Sequence, residues 1–128
     1  GACTITSGNS QTAFEIKGDL FLDEIENIYY AASHDGQVSY TNLLSYADAL
    51  IHDANFSSKW SSYLSGQIAL RTATPLSCTV GLLANYYDCV SYYGSQQIPI
   101  PPSGTPPLNE CQRNLVNAIN SCLGLPAI

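Results

Sequence analysis

Apolar residues recur at helical spacing along most of the chain. Residues 12–15, Thr-Ala-Phe-Glu, have the form of a capping box, which predicts a first helix from about 12 to 33. Its apolar positions follow intervals of three, four and seven residues: Phe14, Phe21, Ile25, Ile28 and Ala32. The pattern then predicts a second helix over about 40–54, a break near Asn55, and a third helix from Trp60 to Thr72.

Two further helices are predicted in the second half of the chain. Thr74-Pro75 is a typical helix start, which predicts a fourth helix that ends at Gly94. The apolar positions from Leu108 to Cys122 predict a fifth helix, which Gly124 and Pro126 close. Between them, residues 98–107 contain five prolines and therefore predict an extended connector. The sequence predicts an all-α fold, a four- or five-helix bundle, with a single domain over 1–128.

The spacing of four cysteines predicts how the last two helices are joined. Cys78 and Cys89 are eleven residues apart, as are Cys111 and Cys122, so the members of each pair lie roughly 16 Å apart on one helical face. A disulfide tolerates only about 4.4–6.8 Å between Cα atoms, which excludes bonds within a helix. Antiparallel packing pairs Cys78 with Cys122 and Cys89 with Cys111, which is a disulfide-stapled antiparallel hairpin. Parallel packing pairs Cys78 with Cys111 instead and stays an alternative.

The number of cysteines also indicates a role for Cys3 and the compartment in which the protein functions. With five cysteines in the chain, pairing four leaves Cys3, which we interpret as a candidate for an intermolecular disulfide in a homodimer. So many cysteines in a short chain indicate an oxidising compartment, and we expect a secreted, extracellular protein.

Composition narrows the classes of partner. Four Lys and Arg against ten Asp and Glu give a net charge of −6, which disfavours nucleic acid as a partner. We also expect no membrane span, because no apolar run approaches about 18 residues. Charged residues are only 11% of the chain, whereas there are nine tyrosines. The six aromatic residues that we interpret as binding candidates are Tyr29, Tyr40, Trp60, Tyr63, Tyr86 and Tyr92.

Catalysis is the least favoured function. Each histidine precedes an aspartate, in His34-Asp35 and His52-Asp53, but adjacent helical residues point about 100° apart, so neither dipeptide forms a dyad by itself. A small hydrolase stays a third hypothesis. We expect no metal and no cofactor, because the cysteines have no zinc spacing.

Two surface features are candidates for regulation. An acidic row on the first predicted helix is either a solvated face or, together with the two histidines, a pH sensor or a surface for a basic partner. The pH-sensing candidates are Glu15, Asp19, Asp23, Glu26, His34 and His52. Asn55-Phe56-Ser57 is a glycosylation acceptor sequence, which makes Asn55 a candidate for N-glycosylation.

The leading hypothesis is a secreted, non-catalytic helical-bundle protein that binds a protein partner or an apolar, lipid-like small molecule. The alternative is a structural or self-assembly module of an extracellular material, which dimerises through Cys3 and responds to pH.

Overall fold

The computed structural model describes residues 2–67, 78, 81–102 and 107–128. These residues contain five α-helices and no strand, so the predicted all-α class is confirmed for this part of the chain. The helices are α1 (Ala2–Ser33), α2 (Thr41–Ile51), α3 (Phe56–Gln67), α4 (Leu82–Tyr93) and α5 (Glu110–Cys122). The chain divides into two compact units, Gly1–Leu70 and Arg71–Ile128. The single domain and the bundle stay predictions.

The first helix begins earlier than its sequence predicts. α1 starts at Ala2, so the predicted start at Thr12 is wrong. In a capping box Glu15 would accept from the main chain of Thr12, but its carboxylate instead accepts a hydrogen bond of 3.0 Å from the Gln11 side chain. The predicted end is confirmed: α1 stops at Ser33, Asp35 has a φ of +55°, and the Gly36 amide donates to Ala31 over 2.7 Å.

The other two helices of the first unit are short and are separated by a tight turn. α2 ends at Ile51, three residues before the predicted end. α3 begins at Phe56, directly after Asn55, whose φ is +59°, so the break lies where it is predicted but occupies fewer residues. The end predicted for this helix, at residues 68–72, lies outside the described residues.

The core of the first unit is built from one face of each of these helices. α2 and α3 both pack on α1. Trp60 of α3 lies edge-on to Phe14 and Phe21 of α1, with ring centroids 6.4 and 6.2 Å apart, and it stacks on Tyr63 at 5.4 Å. The buried apolar residues of this unit are Phe14, Phe21, Leu22, Ile25, Ile28, Leu43, Leu44, Ala47, Leu50, Ile51, Phe56, Trp60, Tyr63 and Leu64.

Polar contacts fix α3 and the turn before it against α1. The Tyr63 hydroxyl donates to the Asp19 carboxylate over 2.5 Å. Asp53, in the turn, lies 2.5 Å from Lys59 Nζ and 3.8 Å from Lys17 Nζ. The lysine of α1 and the lysine of α3 therefore both lie close to Asp53.

In the second unit, α4 and α5 pack together, and two disulfides join α5 to α4 and to Cys78, which precedes α4. Cys78 bonds to Cys122 and Cys89 to Cys111, with Cα–Cα distances of 5.8 and 5.7 Å. This is the pairing that antiparallel packing predicts, and the parallel pairing is excluded. The early part of the predicted fourth helix, at 74–77 and 79–80, lies outside the described residues.

Clear signals in the sequence end both helices of this unit. Gly94 follows α4 with a φ of +59°, and Gly124 follows α5 with a φ of +73°, and each ends its helix as predicted. At the start of α5, Asn109 accepts from the Gln112 main chain over 2.8 Å, and the Gln112 side chain accepts from the Asn109 main chain over 3.0 Å. These two bonds complete a capping box, which makes Asn109 the cap of α5.

The proline-rich connector has no helix or strand in its described residues, 98–102 and 107. Its Pro99 carbonyl accepts from the Glu110 amide over 2.8 Å, so the connector reaches the start of α5. From the end of α4, the Tyr93 hydroxyl donates to the Glu110 carboxylate. This hydrogen bond, with smaller contributions from desolvation and from the charges of Glu110 and Tyr92, raises the pKa of Tyr93 above its usual 10.0.

Candidate functional surface

Three of the four large hydrophobic side chains left exposed in the described part of α1 lie opposite its core side, and the fourth is Tyr29. Ile16 is 57% exposed, Leu20 41% and Tyr30 63%. With Asn27 they recur at intervals of four, seven and three residues, which places all four on one helical face. We call Ile16, Leu20, Asn27 and Tyr30 the outer face. Exposed Ile and Leu at one spacing on a helix whose other side is filled are typical of a surface that contacts another molecule.

Acidic residues surround this outer face. On the helix, Glu15, Asp19 and Glu26 lie along one edge, Asp23 lies on the face itself between Leu20 and Asn27, and Glu24 lies on the other side. Lys17 is the one basic residue of α1, and it lies against Asp53. The acidic row that the sequence predicts thus borders the outer face and enters it at Asp23, and it gives that face a negative potential.

A groove of about 190 Å³ adjoins the C-terminal half of the outer face. Glu24 and Asn27 of α1 and Gln37 and Ser39 of the following loop supply its polar groups, and Ile28, Ala31 and Val38 supply apolar walls. The Asn27 amide donates to the Glu24 carboxylate over 3.3 Å, so these two side chains hold each other at the groove. Asn27 therefore belongs both to the outer face and to the groove.

The six predicted aromatic binding residues fall into two groups. Trp60, Tyr63 and Tyr86 are buried, the first two in the core of the first unit and Tyr86 in the second. Tyr29 and Tyr92 are exposed, Tyr92 to 83%, and Tyr40 is half-buried. The buried three can contribute to packing, whereas a surface contact is open to Tyr29 and Tyr92.

Neither histidine has a carboxylate among the hydrogen-bond contacts found for its ring in the described residues. His34 Nδ1 lies 2.9 Å from the main-chain oxygen of Tyr30 and 3.1 Å from Ser33 Oγ, and its ring stacks on Tyr30 at 3.9 Å. His52 Nδ1 lies 2.8 Å from the main-chain oxygen of Asp48. Both rings thus lie against the helix end that precedes them.

The remaining candidates occupy separate places. Asn55 is exposed in the turn before α3, where a glycan could be attached without displacing a core residue. Cys3 lies in the first turns of α1, and its side chain is outside the described part of the structure. In the described residues no three His, Cys, Asp or Glu side chains come together as a group that could hold a metal ion. Across the same residues, every helix is too short or too polar to cross a bilayer.

The outer face itself was not predicted as a site. Ile16 and Leu20 are four residues apart but out of phase with Phe14, Phe21 and Ile25, so a second apolar stripe on the first helix was visible in the sequence. Tyr30 is not among the six predicted aromatic binding residues. No family model, curated protein or solved structure matches the chain.

Proposed function

We propose that this protein is a secreted, non-catalytic helical protein that binds a protein partner through the outer face of α1. The observation that carries the proposal is the exposure of Ile16, Leu20 and Tyr30 on the side of α1 that faces away from a filled core. Large apolar side chains in one exposed patch have a cost in solubility, and interaction surfaces are where proteins retain them.

Two further observations support parts of this proposal. The disulfides Cys78–Cys122 and Cys89–Cys111 favour an oxidising, extracellular compartment and the disulfide-stapled antiparallel hairpin of the last two helices. The groove beside the outer face, at about 190 Å³, is smaller than the roughly 300 Å³ at which pockets for drug-sized ligands begin. This groove is thus too small for a drug-sized ligand, and we propose a protein as the partner of the outer face.

The test is a site-specific photo-crosslink in the medium of the producing cells. Benzoylphenylalanine in place of Tyr30 keeps an aromatic ring on the outer face, and the same group in place of Ser61, which is exposed on α3, is the matched control. We expect a covalent adduct with another protein from position 30 and none from position 61. Equal adduct yields from both positions, or no adduct from position 30, would contradict the proposal.

A second candidate function is a structural or assembly module that dimerises through Cys3 and responds to pH through the carboxylates of α1. The observation that favours it is that four of the five cysteines bond to each other. Electrophoresis without reductant should then show a dimer. Reductant should convert this dimer to monomer, and Cys3→Ser should abolish it. A monomer with one titratable thiol would exclude this candidate.

A further inference from the structure

We infer that the partner presents a basic amphipathic helix, whose apolar side contacts Ile16 and Leu20 and whose lysine or arginine enters the groove at Glu24. This inference rests on the proposed function and specifies the chemistry of the partner. Its basis is that one surface combines an exposed apolar stripe, a carboxylate border and an adjoining groove of about 190 Å³.

The apolar stripe sets the shape of the partner. Ile16 to Tyr30 spans fifteen positions, which is about 21 Å along a helix. The exposed apolar side chains Ile16, Leu20 and Tyr30 match a second helix that carries apolar residues opposite these three positions and polar residues opposite Asp23 and Asn27. A partner helix of about fifteen residues would cover the outer face from end to end.

The charges around the outer face indicate the charge of the partner. Carboxylates lie on both sides of the outer face and, at Asp23, within it; Asp19 and Asp23 are exposed, and Glu24 is half-buried at the groove. Lys17, the one basic residue of α1, lies against Asp53. A partner with flanking basic residues gains from this field, and an acidic partner is repelled.

The same charges argue against a second copy of this chain as the occupant. Four basic residues are distributed over the sequence as Lys17, Lys59, Arg71 and Arg113, so no segment has a basic face at helical spacing. Two copies that met through the outer face would oppose their carboxylate borders. The complementary surface must therefore come from a different protein.

The groove is suited to one long basic side chain. Ile28, Ala31 and Val38 can contact the alkyl stem, while the Glu24 carboxylate and the Ser39 hydroxyl can accept hydrogen bonds from its charged end. Asn27 already donates to Glu24 over 3.3 Å, which orients the carboxylate before a partner arrives. Glu24 is thus the residue that we expect to select a cationic side chain.

The experiment titrates the full, disulfide-bonded chain with a synthetic helical peptide and measures Kd by calorimetry. The probe is a peptide of about fifteen leucine and lysine residues with the leucines along one face. We expect binding to the unmodified chain, and about tenfold weaker binding to Ile16→Gln/Leu20→Gln and to Glu24→Gln. The charge-matched control is Asp88→Asn, which removes one carboxylate from the exposed side of α4 and should leave Kd unchanged.

Several results would overturn the inference. Equal binding by the outer-face variants and by the unmodified chain would show that the peptide responds only to the net charge of −6. If Asp88→Asn weakened binding as much as Glu24→Gln, the effect of Glu24→Gln would come from net charge and not from the groove. Equal or tighter binding of a probe with glutamate in place of lysine would show that the surface does not select a basic partner. No binding of the lysine probe would also end this inference, whereas an adduct from position 30 would still support the proposed function.

Discussion

Gly18 of α1 and Tyr63 of α3 are in such close contact that no side chain fits between them. A Cβ atom at position 18 would lie 2.9 Å from both Cε2 and Cζ of the Tyr63 ring. The ring cannot easily move away, because its hydroxyl is bonded to Asp19 over 2.5 Å and its other neighbour is Trp60. Glycine at position 18 is therefore a packing requirement inside a helix, where glycine is normally unfavourable.

We expect Gly18→Ala to lower the free energy of unfolding of the first unit by up to about 2 kcal/mol. The overlap costs about 1–3 kcal/mol and outweighs the gain of about 1 kcal/mol in helix propensity. The control is Gly66→Ala in α3, where nothing lies within 4 Å of the added Cβ, and there we expect a gain of about 0.5–1 kcal/mol. Urea unfolding followed by the fluorescence of Trp60, the single tryptophan, measures both. A gain for Gly18→Ala as large as the gain for Gly66→Ala would disprove the close contact.

We expect the two disulfides to contribute about equally to the unfolding free energy of the second unit. The bonds are nested, since Cys89–Cys111 closes 22 residues inside the 44 that Cys78–Cys122 closes. Cys78 and Cys89 are eleven residues apart, as are Cys111 and Cys122. When the inner bond is intact, the outer bond therefore closes a loop made only of these two eleven-residue segments. We expect each double serine variant to lose about 2–4 kcal/mol of unfolding free energy by urea titration with circular dichroism. An unchanged unfolding free energy in either variant would show that the bond does not constrain the unfolded chain.

The cap of α5 gives a third prediction. Asn109→Ala removes the acceptor for the Gln112 amide and should lower the free energy of unfolding by about 1 kcal/mol. Asn114→Ala is the matched control, because Asn114 is exposed within the same helix, and it should stay within about 0.5 kcal/mol. Thermal unfolding of the two variants tests the cap. Equal losses at positions 109 and 114 would show that the capping box does not stabilise the helix.

The Tyr93–Glu110 hydrogen bond predicts a pH dependence at alkaline pH. Because the bond raises the pKa of Tyr93 in the folded chain, its stabilising effect is complete below pH 10.0, the usual tyrosine value, and is lost as pH rises through the raised pKa. Near-ultraviolet titration of tyrosinate, as the difference between the unmodified chain and Tyr93→Phe, isolates this group. We expect its pKa to fall toward 10.0 in Glu110→Gln. A Tyr93 pKa that Glu110→Gln leaves unchanged would contradict the assignment.

The residues that the sequence assigns correctly are those whose signals are local and physically unambiguous. Equal cysteine intervals and the Cα distance limit of a disulfide exclude bonds within a helix and leave two pairings, of which the antiparallel one is observed. Gly94 and Gly124 end helices because a positive φ is easy for glycine. The periodicity of Phe14, Phe21, Ile25 and Ile28 identifies the buried side of α1, because helical spacing is also a local signal.

The errors arise where a short motif competes with longer-range packing. Thr12 to Glu15 matches a capping box in four letters, but Glu15 contacts Gln11 one turn earlier and the helix continues to Ala2. Asn109 and Gln112 form a true capping box that was not recognised, because the predicted helix was started at Leu108. Trp60 and Tyr63 were interpreted as binding candidates although their spacing with Leu64 also fits a core, and burial depends on neighbours that a single helix does not show.

The central claim is that Ile16 and Leu20 face solvent in the folded chain and serve a partner. The most direct test is the urea unfolding free energy of Ile16→Gln/Leu20→Gln, with Ile25→Ala as the buried control. We predict a change within about 0.5 kcal/mol for the outer-face variant and a loss of about 2–5 kcal/mol for the control. A loss of about 2 kcal/mol or more from the outer-face variant would mean that these side chains are covered within the folded protein, and it would contradict the account.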